Sequence, residues 1–342
     1  MRKFDVDSTA QFGYIHPLSM IIASNPHESI AQLGECRLID RIGQWLGPVS
    51  PPSPEGIGDD CAVLEPPLSG KQIVTTDSIS YGQHFDDSVS AKAAGAKLIK
   101  RNLSDIAAMG GTPGPAVLAL LMGPDISILW LQHFFDGVRE VCRQHDVHLV
   151  GGDISGLAPG NFSAVLTLTG TTATPRLRHT AGLGDHIYVT GTLGGSILQK
   201  HYAFEPRLAE GRWIAAQPEC SAMMDLTDGL GKDLQALLPE ACSAAIELTR
   251  MPISEDAQRL AQNNGVDPMK QAFCDGEDYE LLFTIAADSE CEAFERRWAA
   301  QFPNLPLSRI GTFIPKANQG VFMDASTNAV LPWTHGFEHL KQ

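Results

Sequence analysis

Apolar positions recur at helical spacing in three stretches of the chain. Over 29–46, Ile30, Leu33, Leu38, Ile39, Ile42 and Leu46 fall near one face, which predicts an amphipathic helix. Residues 88–109 read as a long helix with Ala91, Ala94, Lys97, Leu98, Leu103, Ile106 and Ala107 roughly on one side, ended by Gly110-Gly111-Thr112-Pro113. A third helix is expected over 127–145. Short apolar or alternating runs predict strands over 61–64, 72–76, 116–121, 147–150, 162–172 and 186–190, and a strand running into a helix start over 222–228. Residues 47–56, rich in Pro and Ser, read as a loop. Strands and helices mix without strict alternation, so the expected fold class is α+β. The boundary between two domains falls near the polar crossing at 176–184, giving 29–173 and 174–342. Residues 1–28, broken by His16-Pro17 and Asn25-Pro26, read as a loosely held extension, with Met20 a second candidate start.

The candidate chemistry lies at the ends of these runs. Gly56-Ile57-Gly58-Asp59-Asp60 sets adjacent carboxylates behind small residues. The same association of Asp with small or hydroxyl residues recurs in Thr75-Thr76-Asp77, Asn102-Leu103-Ser104-Asp105, Gly151-Gly152-Asp153 and Asp225-Leu226-Thr227-Asp228-Gly229. Taken singly, each has a plain reading as a turn, a cap or a solvated face. Adjacent carboxylates are costly unless a cation lies between them, and a hard cation with oxygen ligands is the usual answer. Five clusters in order therefore suggest one shared site for metal ions and a polyphosphate. Thr227 or Asp228 could cap the helix that follows and aim its N–H groups at an anion. Lys97, Lys100 and Arg101 could be simply a polar helix face, and His84 a surface or core histidine. An acidic turn, Asp275-Gly276-Glu277-Asp278-Tyr279-Glu280, precedes another apolar run.

Composition narrows this further. The 342 residues are 43% hydrophobic with a net charge of −15, which fits a soluble globular chain and argues against nonspecific nucleic-acid binding. An anionic ligand on so acidic a chain needs bound cations. Seven cysteines are scattered without a C-x-x-C pair, which fits a reducing cytoplasm rather than a zinc or disulfide framework. No run approaches the roughly 18 apolar residues of a membrane span. Neither a P-loop, a G-x-G-x-x-G after a strand, nor the protein-kinase motif set is present, so any ATP is held through carboxylate-bound metal.

These clusters, with Asn102-Leu103-Ser104-Asp105-Ile106-Ala107-Ala108-Met109-Gly110 and Gly276-Glu277-Asp278-Tyr279-Glu280-Leu281, resemble the thiamine-monophosphate kinase family of the aminoimidazole-ribonucleotide-synthetase-like ATP-binding superfamily. The resemblance runs in order from about residue 29 to the end. It implies ATP- and Mg²⁺-dependent phosphorylation of thiamine monophosphate to thiamine diphosphate, with several Mg²⁺ ions and K⁺ as a further candidate. It also implies a cytoplasmic homodimer whose N-terminal sheets pair into a barrel, with nucleotide between the two domains. Asp60, Asp77, Asp105, Asp153, Asp225 and Asp228 look like metal ligands and Thr75 a weaker one, with Asp60, Asp105 and Asp228 the residues on which turnover depends. Thr76, Gly152, Arg178 and Thr227 look like nucleotide contacts, and His84 and Glu277 like substrate contacts, with Trp333 or Phe337 as an aromatic wall.

The chain departs from the family pattern at four places. Thr75 stands where Ser is frequent, and Asp275 where a second Gly is usual. Lys100 and Arg101 stand where small or apolar residues are common, and the stretch 194–213 is short and basic. Rival readings are another superfamily member with a different phosphate acceptor, or a nucleotide sensor without turnover. A selenophosphate-forming relative would need a reactive cysteine early in the chain, and Cys36 is expected on a buried helix position.

Overall fold

A computed structural model describes residues 20–59, 61–317 and 320–338. In chain order the first part holds α1 (Gly34–Leu46), β1 (Pro52–Asp59), β2 (Lys71–Ser80), α2 (Ala91–Ala108), β3 (Thr112–Met122), α3 (Ile128–Gln144), β4 (Leu149–Gly156) and β5 (Phe162–Thr172). Strands β2 to β5 form a sheet in the order β2-β5-β3-β4, antiparallel except for the β3–β4 pair. Residues along β5 alternate between buried and half-buried from Phe162 to Thr172, the period of a strand with one covered face. Phe162, Ala164, Leu166 and Leu168 point inward with Trp130, Phe134 and Leu103. Helices α2 and α3 begin where the sequence supplies an acceptor: Ser90 Oγ takes the Ala93 N–H and Ser127 Oγ the Trp130 N–H. The other face of the sheet aligns Val74, Thr76, Val117, Thr167 and Thr169 across three strands, with Val74 63% exposed and Val117 41%.

The second part continues with β6 (His186–Thr190), α4 (Lys200–Ala203), α5 (Leu208–Ala216), β7 (Cys220–Asp225), α6 (Leu230–Leu237), β8 (Cys242–Ile246), α7 (Glu255–Asn264), α8 (Pro268–Cys274), β9 (Leu281–Ile285), α9 (Cys291–Gln301), β10 (Leu307–Pro315) and β11 (Phe322–Asp324). Its six-stranded sheet runs β11-β8-β10-β6-β9-β7, antiparallel but for β11 along β8. The whole is a mixed α+β architecture with two sheets. Helix α2 packs on β2 and β5 of the first sheet and also on β7 and α5 of the second part. It is buried on nearly every side, not on one face as its apolar spacing suggests. Among the described residues, no helix is long and apolar enough to cross a membrane.

Several expectations change. Residues 47–56 are not a loop: a 3-10 turn over Gly47–Val49 leads into β1. Proline at 52 and 54 fits an extended strand that lacks donors on one side. Residues 61–64 form no strand. Val63 and Leu64 are 61% and 46% exposed, and Pro66-Pro67 follow, which cannot donate to a ladder. Cys36 is exposed, not buried. Within the extension expected over 1–28, residues 20–28 are tied down: Ile21 is 2% exposed, its carbonyl accepts from Ser127 N, and Ala23 N donates to the Asp125 carbonyl. The rest of that segment lies outside the described residues.

Candidate active site

The site is organised by α2, whose polar residues point into the space between β2 and β7. Thr75 and Asp77 lie on the α2 side of β2, because alternate residues of a strand share a face. Thr75 Oγ1 donates a short hydrogen bond to Asp105 Oδ2. Ser104 Oγ donates to Asp225 Oδ2 at 2.6 Å from the next position along the helix. Asp225, the last residue of β7, is 1% exposed. Burial pushes the Asp105 carboxyl up to about 7, Asp225 and Asp77 add to this, and Thr75 and Arg178 oppose it. Burial likewise raises Asp225, against the Ser104 hydroxyl and Arg178. The result is an oxygen-only set of carboxylates and hydroxyls short of positive charge.

Asp77 differs from its neighbours. Arg101 Nε and Nη2 donate to its two carboxylate oxygens at 2.7 and 2.9 Å, and Ser78 N donates to Oδ1 at 2.9 Å. Asp153 lies exposed within β4, beside Ala119 of β3, and accepts from Ser155 Oγ at 2.7 Å. The strand therefore contains Gly151-Gly152-Asp153 instead of delivering it. A Cβ at Gly152 would sit 1.9 Å from the Leu118 carbonyl oxygen, so only glycine lets β4 lie this close to β3. Thr76 points to the opposite face of the sheet, where its hydroxyl donates to the Leu166 carbonyl at 3.0 Å. Its side chain does not join the cluster. Asp60 lies outside the described residues. Among the described residues, no three His, Cys, Asp or Glu side chains converge closely enough to hold a metal ion.

The loop after β7 corrects another expectation. Neither Thr227 nor Asp228 caps α6. Gly229 precedes that helix, and Asp233 on its first turn accepts from both Thr227 N and Asp228 N at 2.9 Å. The Asp233 carboxylate thus ties down two N–H groups of the loop before α6, and among the described residues no side chain caps the helix start. Asp228 instead pairs with Lys232 at 2.6 Å.

Beside this lies a second polar centre that sequence patterning misses. Lys97, wholly buried, donates to the His84 carbonyl at 2.8 Å, to Glu277 Oε1 at 2.7 Å and to His201 Nδ1 at 3.1 Å. His84 Nδ1 accepts from Ser80 N at 3.1 Å. The two partners of the ion pair respond differently. Burial dominates at the enclosed Lys97 and lowers it, whereas at Glu277 burial is outweighed by Lys97, Arg101 and His201, which hold the carboxyl below its ordinary range. With Lys97 at 2.7 Å and the Arg101 charge nearby, Glu277 is ionised. Further along, Glu280 is 1% exposed and is gripped by Arg207 through two bonds of 2.8 Å, by Lys200 at 2.9 Å and by Thr190 Oγ1 at 2.8 Å. The basic stretch 194–213 therefore supplies counter-charges to the acidic turn. The signal for it in the sequence is four acidic residues over 275–280 set directly against the apolar run 281–285.

Trp333 packs on Phe273 with ring centroids 5.2 Å apart. Phe337 is 48% exposed, and its N–H donates to the Asp228 carbonyl at 2.8 Å, which brings the C-terminal segment to the β7–α6 loop. That loop also meets the acidic turn, since Glu277 N donates to the Thr227 carbonyl at 2.8 Å. The structure thus gathers Thr75, Asp77, Asp105 and Asp225, with Arg178 in electrostatic reach, and connects them through Thr227 and Asp228 to Glu277 and Phe337.

Two sheets bridged by α2, with buried Asp225 and half-buried Asp77 and Asp105 gathered between them, define the class. Residues 58–172 match the family of AIR synthase related protein, N-terminal domain. The chain is 34% identical over 268 residues to a thiamine-monophosphate kinase of Rhodopirellula baltica, covering 76% of this chain and 83% of that one. It is 31% identical over 337 residues to the thiamine-monophosphate kinase of Haemophilus influenzae, covering 91% and 99%. A solved structure described as AaThiL complexed with AMPPCP and TMP superposes with a TM-score of 0.66 at 29% identity, covering 88% of this chain and 96% of that one. The chain belongs to the thiamine-monophosphate kinase family, and it is a kinase.

Proposed function

We propose that this chain transfers the γ-phosphoryl group of ATP directly to the phosphate of thiamine monophosphate, yielding thiamine diphosphate and ADP. The observation that carries the reading is the pairing of half-buried Asp105 with buried Asp225, which accept from the Thr75 and Ser104 hydroxyls and whose carboxyls are both held up by desolvation. An oxygen-only set of this charge fits a hard divalent cation. Asp105 and Asp225 with Thr75 would hold Mg²⁺, with Asp228 and Asp60 as further ligands, while Asp153, paired with Ala119 on the open face of the sheet, would serve a separate ion. When bound, Mg²⁺ supplies the countercharge that lets a polyphosphate approach a chain of net charge −15. Arg178 adds positive charge beside the same pair. AMPPCP, an ATP analogue, and TMP bound together on a relative support both substrates.

The acceptor is a phosphate monoester with a second pKa near 6, so it is largely dianionic at neutral pH and needs no general base. What the chain contributes is alignment and charge neutralisation. Glu277, fixed by Lys97, and His84, fixed by Ser80 N, would orient the acceptor, with Phe337 or Trp333 against its rings. We assign 29–173 and 174–342 as the two domains, with the nucleotide between them. Incubation with ATP, Mg²⁺ and thiamine monophosphate, followed by ion-pair chromatography, is expected to give thiamine diphosphate and ADP one for one. Free thiamine is expected to give neither. ADP with no phosphorylated thiamine would overturn the acceptor.

The open face of the first sheet supports a homodimer in which two such sheets pair into a barrel. A face bearing Val74 and Val117 amid threonines suits burial against a copy of itself better than exposure to water. Sedimentation equilibrium is expected to return twice the chain mass, and Val117→Asp is expected to shift it toward the single chain. A monomeric wild-type protein at micromolar concentration would sink the dimer.

A further inference from the structure

Arg101 makes three hydrogen bonds from α2 to β2. Its Nε and Nη2 meet both oxygens of Asp77, and its Nη1 donates to the Ser78 carbonyl at 2.9 Å. The Arg101 side chain is 11% exposed and the Asp77 side chain 28%. A guanidinium fork matches a carboxylate in geometry, never loses its proton under ordinary conditions and is less strongly hydrated than an ammonium. Asp77 accepts a third bond from Ser78 N. Three of its roughly four acceptor sites are therefore taken by protein donors, two of them from a guanidinium, whereas the side-chain donors to Asp105 and Asp225 are the Thr75 and Ser104 hydroxyls. A metal ion binding Asp77 through both oxygens would have to displace Arg101 and break its bond to the Ser78 carbonyl, and one binding through the free site of Oδ2 would lie beside the guanidinium charge. Breaking a buried, charge-assisted bond of this kind without a replacement partner is costly. Arg101 also lies in electrostatic reach of Glu277 and Tyr279, so its charge faces the acceptor side as well as the nucleotide side.

We propose that Arg101 is a built-in counter-cation of Asp77, holding that carboxylate in the place of a metal ion, so that the nucleotide site works with one fewer divalent ion than its set of aspartates implies. The inference rests on the reading of this cluster as the nucleotide–metal site.

The test counts Mn²⁺ bound to the full chain in the presence of AMPPCP, from the electron paramagnetic resonance signal of the free ion. Wild type and Asp77→Asn are expected to bind the same number of ions. Arg101→Met is expected to bind one further ion, and the Arg101→Met/Asp77→Asn double variant to lose it again. Loss of an ion in Asp77→Asn alone, or no gain in an Arg101→Met protein with a native circular-dichroism spectrum, would overturn the proposal. Should Arg101→Met fail to fold, the comparison of wild type with Asp77→Asn still decides it. Asp225→Asn separates the two layers of argument. An unchanged count there defeats the wider metal assignment, while the Asp77 and Arg101 counts judge the counter-cation independently.

Discussion

Asp225→Asn is expected to lower turnover by about a thousandfold or more, roughly 4 kcal/mol of transition-state stabilisation, while leaving the metal-free protein no less stable than wild type. The two halves of this expectation have one cause. Asp225 is almost wholly buried at the end of β7, with Asp105 nearby and Ser104 as its donor. Ionisation there costs folding free energy unless a cation is bound, and asparagine removes that cost along with the charge. The sign follows from linkage. A carboxyl whose folded pKa is raised binds more protons folded than unfolded in the intervening window, so stability falls as pH rises through it. For Asp105 that window runs from 3.8 to about 7. The melting temperature of metal-free wild type is expected to decline over this range, and the decline to be shallower in Asp225→Asn, where the mutual repulsion is gone. Turnover within tenfold of wild type would remove Asp225 from the site.

Lys97→Met is expected to destabilise the protein by about 3 kcal/mol, the cost of leaving a mostly buried carboxylate without its closest partner. Lys97 joins three elements at one ammonium: the His84 carbonyl after β2, His201 on α4 and Glu277 in the acidic turn. Methionine fills the volume but donates to none of them. Glu277 then keeps Tyr279 Oη at 3.1 Å, His201 at 3.8 Å and the more distant charge of Arg101. Urea unfolding with an unchanged slope would read the loss directly. A loss under about 1 kcal/mol would mean that Glu277 finds solvent or another cation, and that Lys97 does not organise this centre.

Much of the first sheet was legible because its pattern is local. The alternation of Phe162–Thr172 and the helical spacing of Ala91–Ala108 both appear in the structure with nearly the expected limits. The strand at Pro52–Asp59 was not legible, because two prolines and two glycines mask extended backbone as a loop. Within the site, the aspartates announce themselves through their small and hydroxyl neighbours. Their cationic partners do not. Lys97, Lys100 and Arg101 read as a solvated helix face, yet the packing of β7 and α5 against α2 encloses them. A pairing such as Arg207 with Glu280 spans 73 positions and depends on where the start of α5 meets the acidic turn before β9, which no local pattern encodes. Asp233 is hidden for a related reason: its bond back to Thr227 N and Asp228 N uses the N–H groups of the preceding loop rather than a side chain at the helix start.

The acidic turn after α8 carries four carboxylates within six positions, and each faces a different donor. Asp275 accepts from Gly195 N, Glu277 from Lys97, Asp278 from Gly194 N and Glu280 from Arg207. The spread depends on left-handed backbone at Glu277 (φ 64°) and Tyr279 (φ 51°), which turns successive side chains away from simple alternation. Backbone of that kind costs on the order of 1–3 kcal/mol per residue and persists only where its surroundings enforce it, here with Tyr279 stacked on Phe204 at 3.7 Å. The segment is therefore fixed in length as firmly as in composition. Inserting or deleting a single residue between Cys274 and Leu281 would shift these carboxylates out of register with their donors, whereas the exposed run before β2 has no such register to lose.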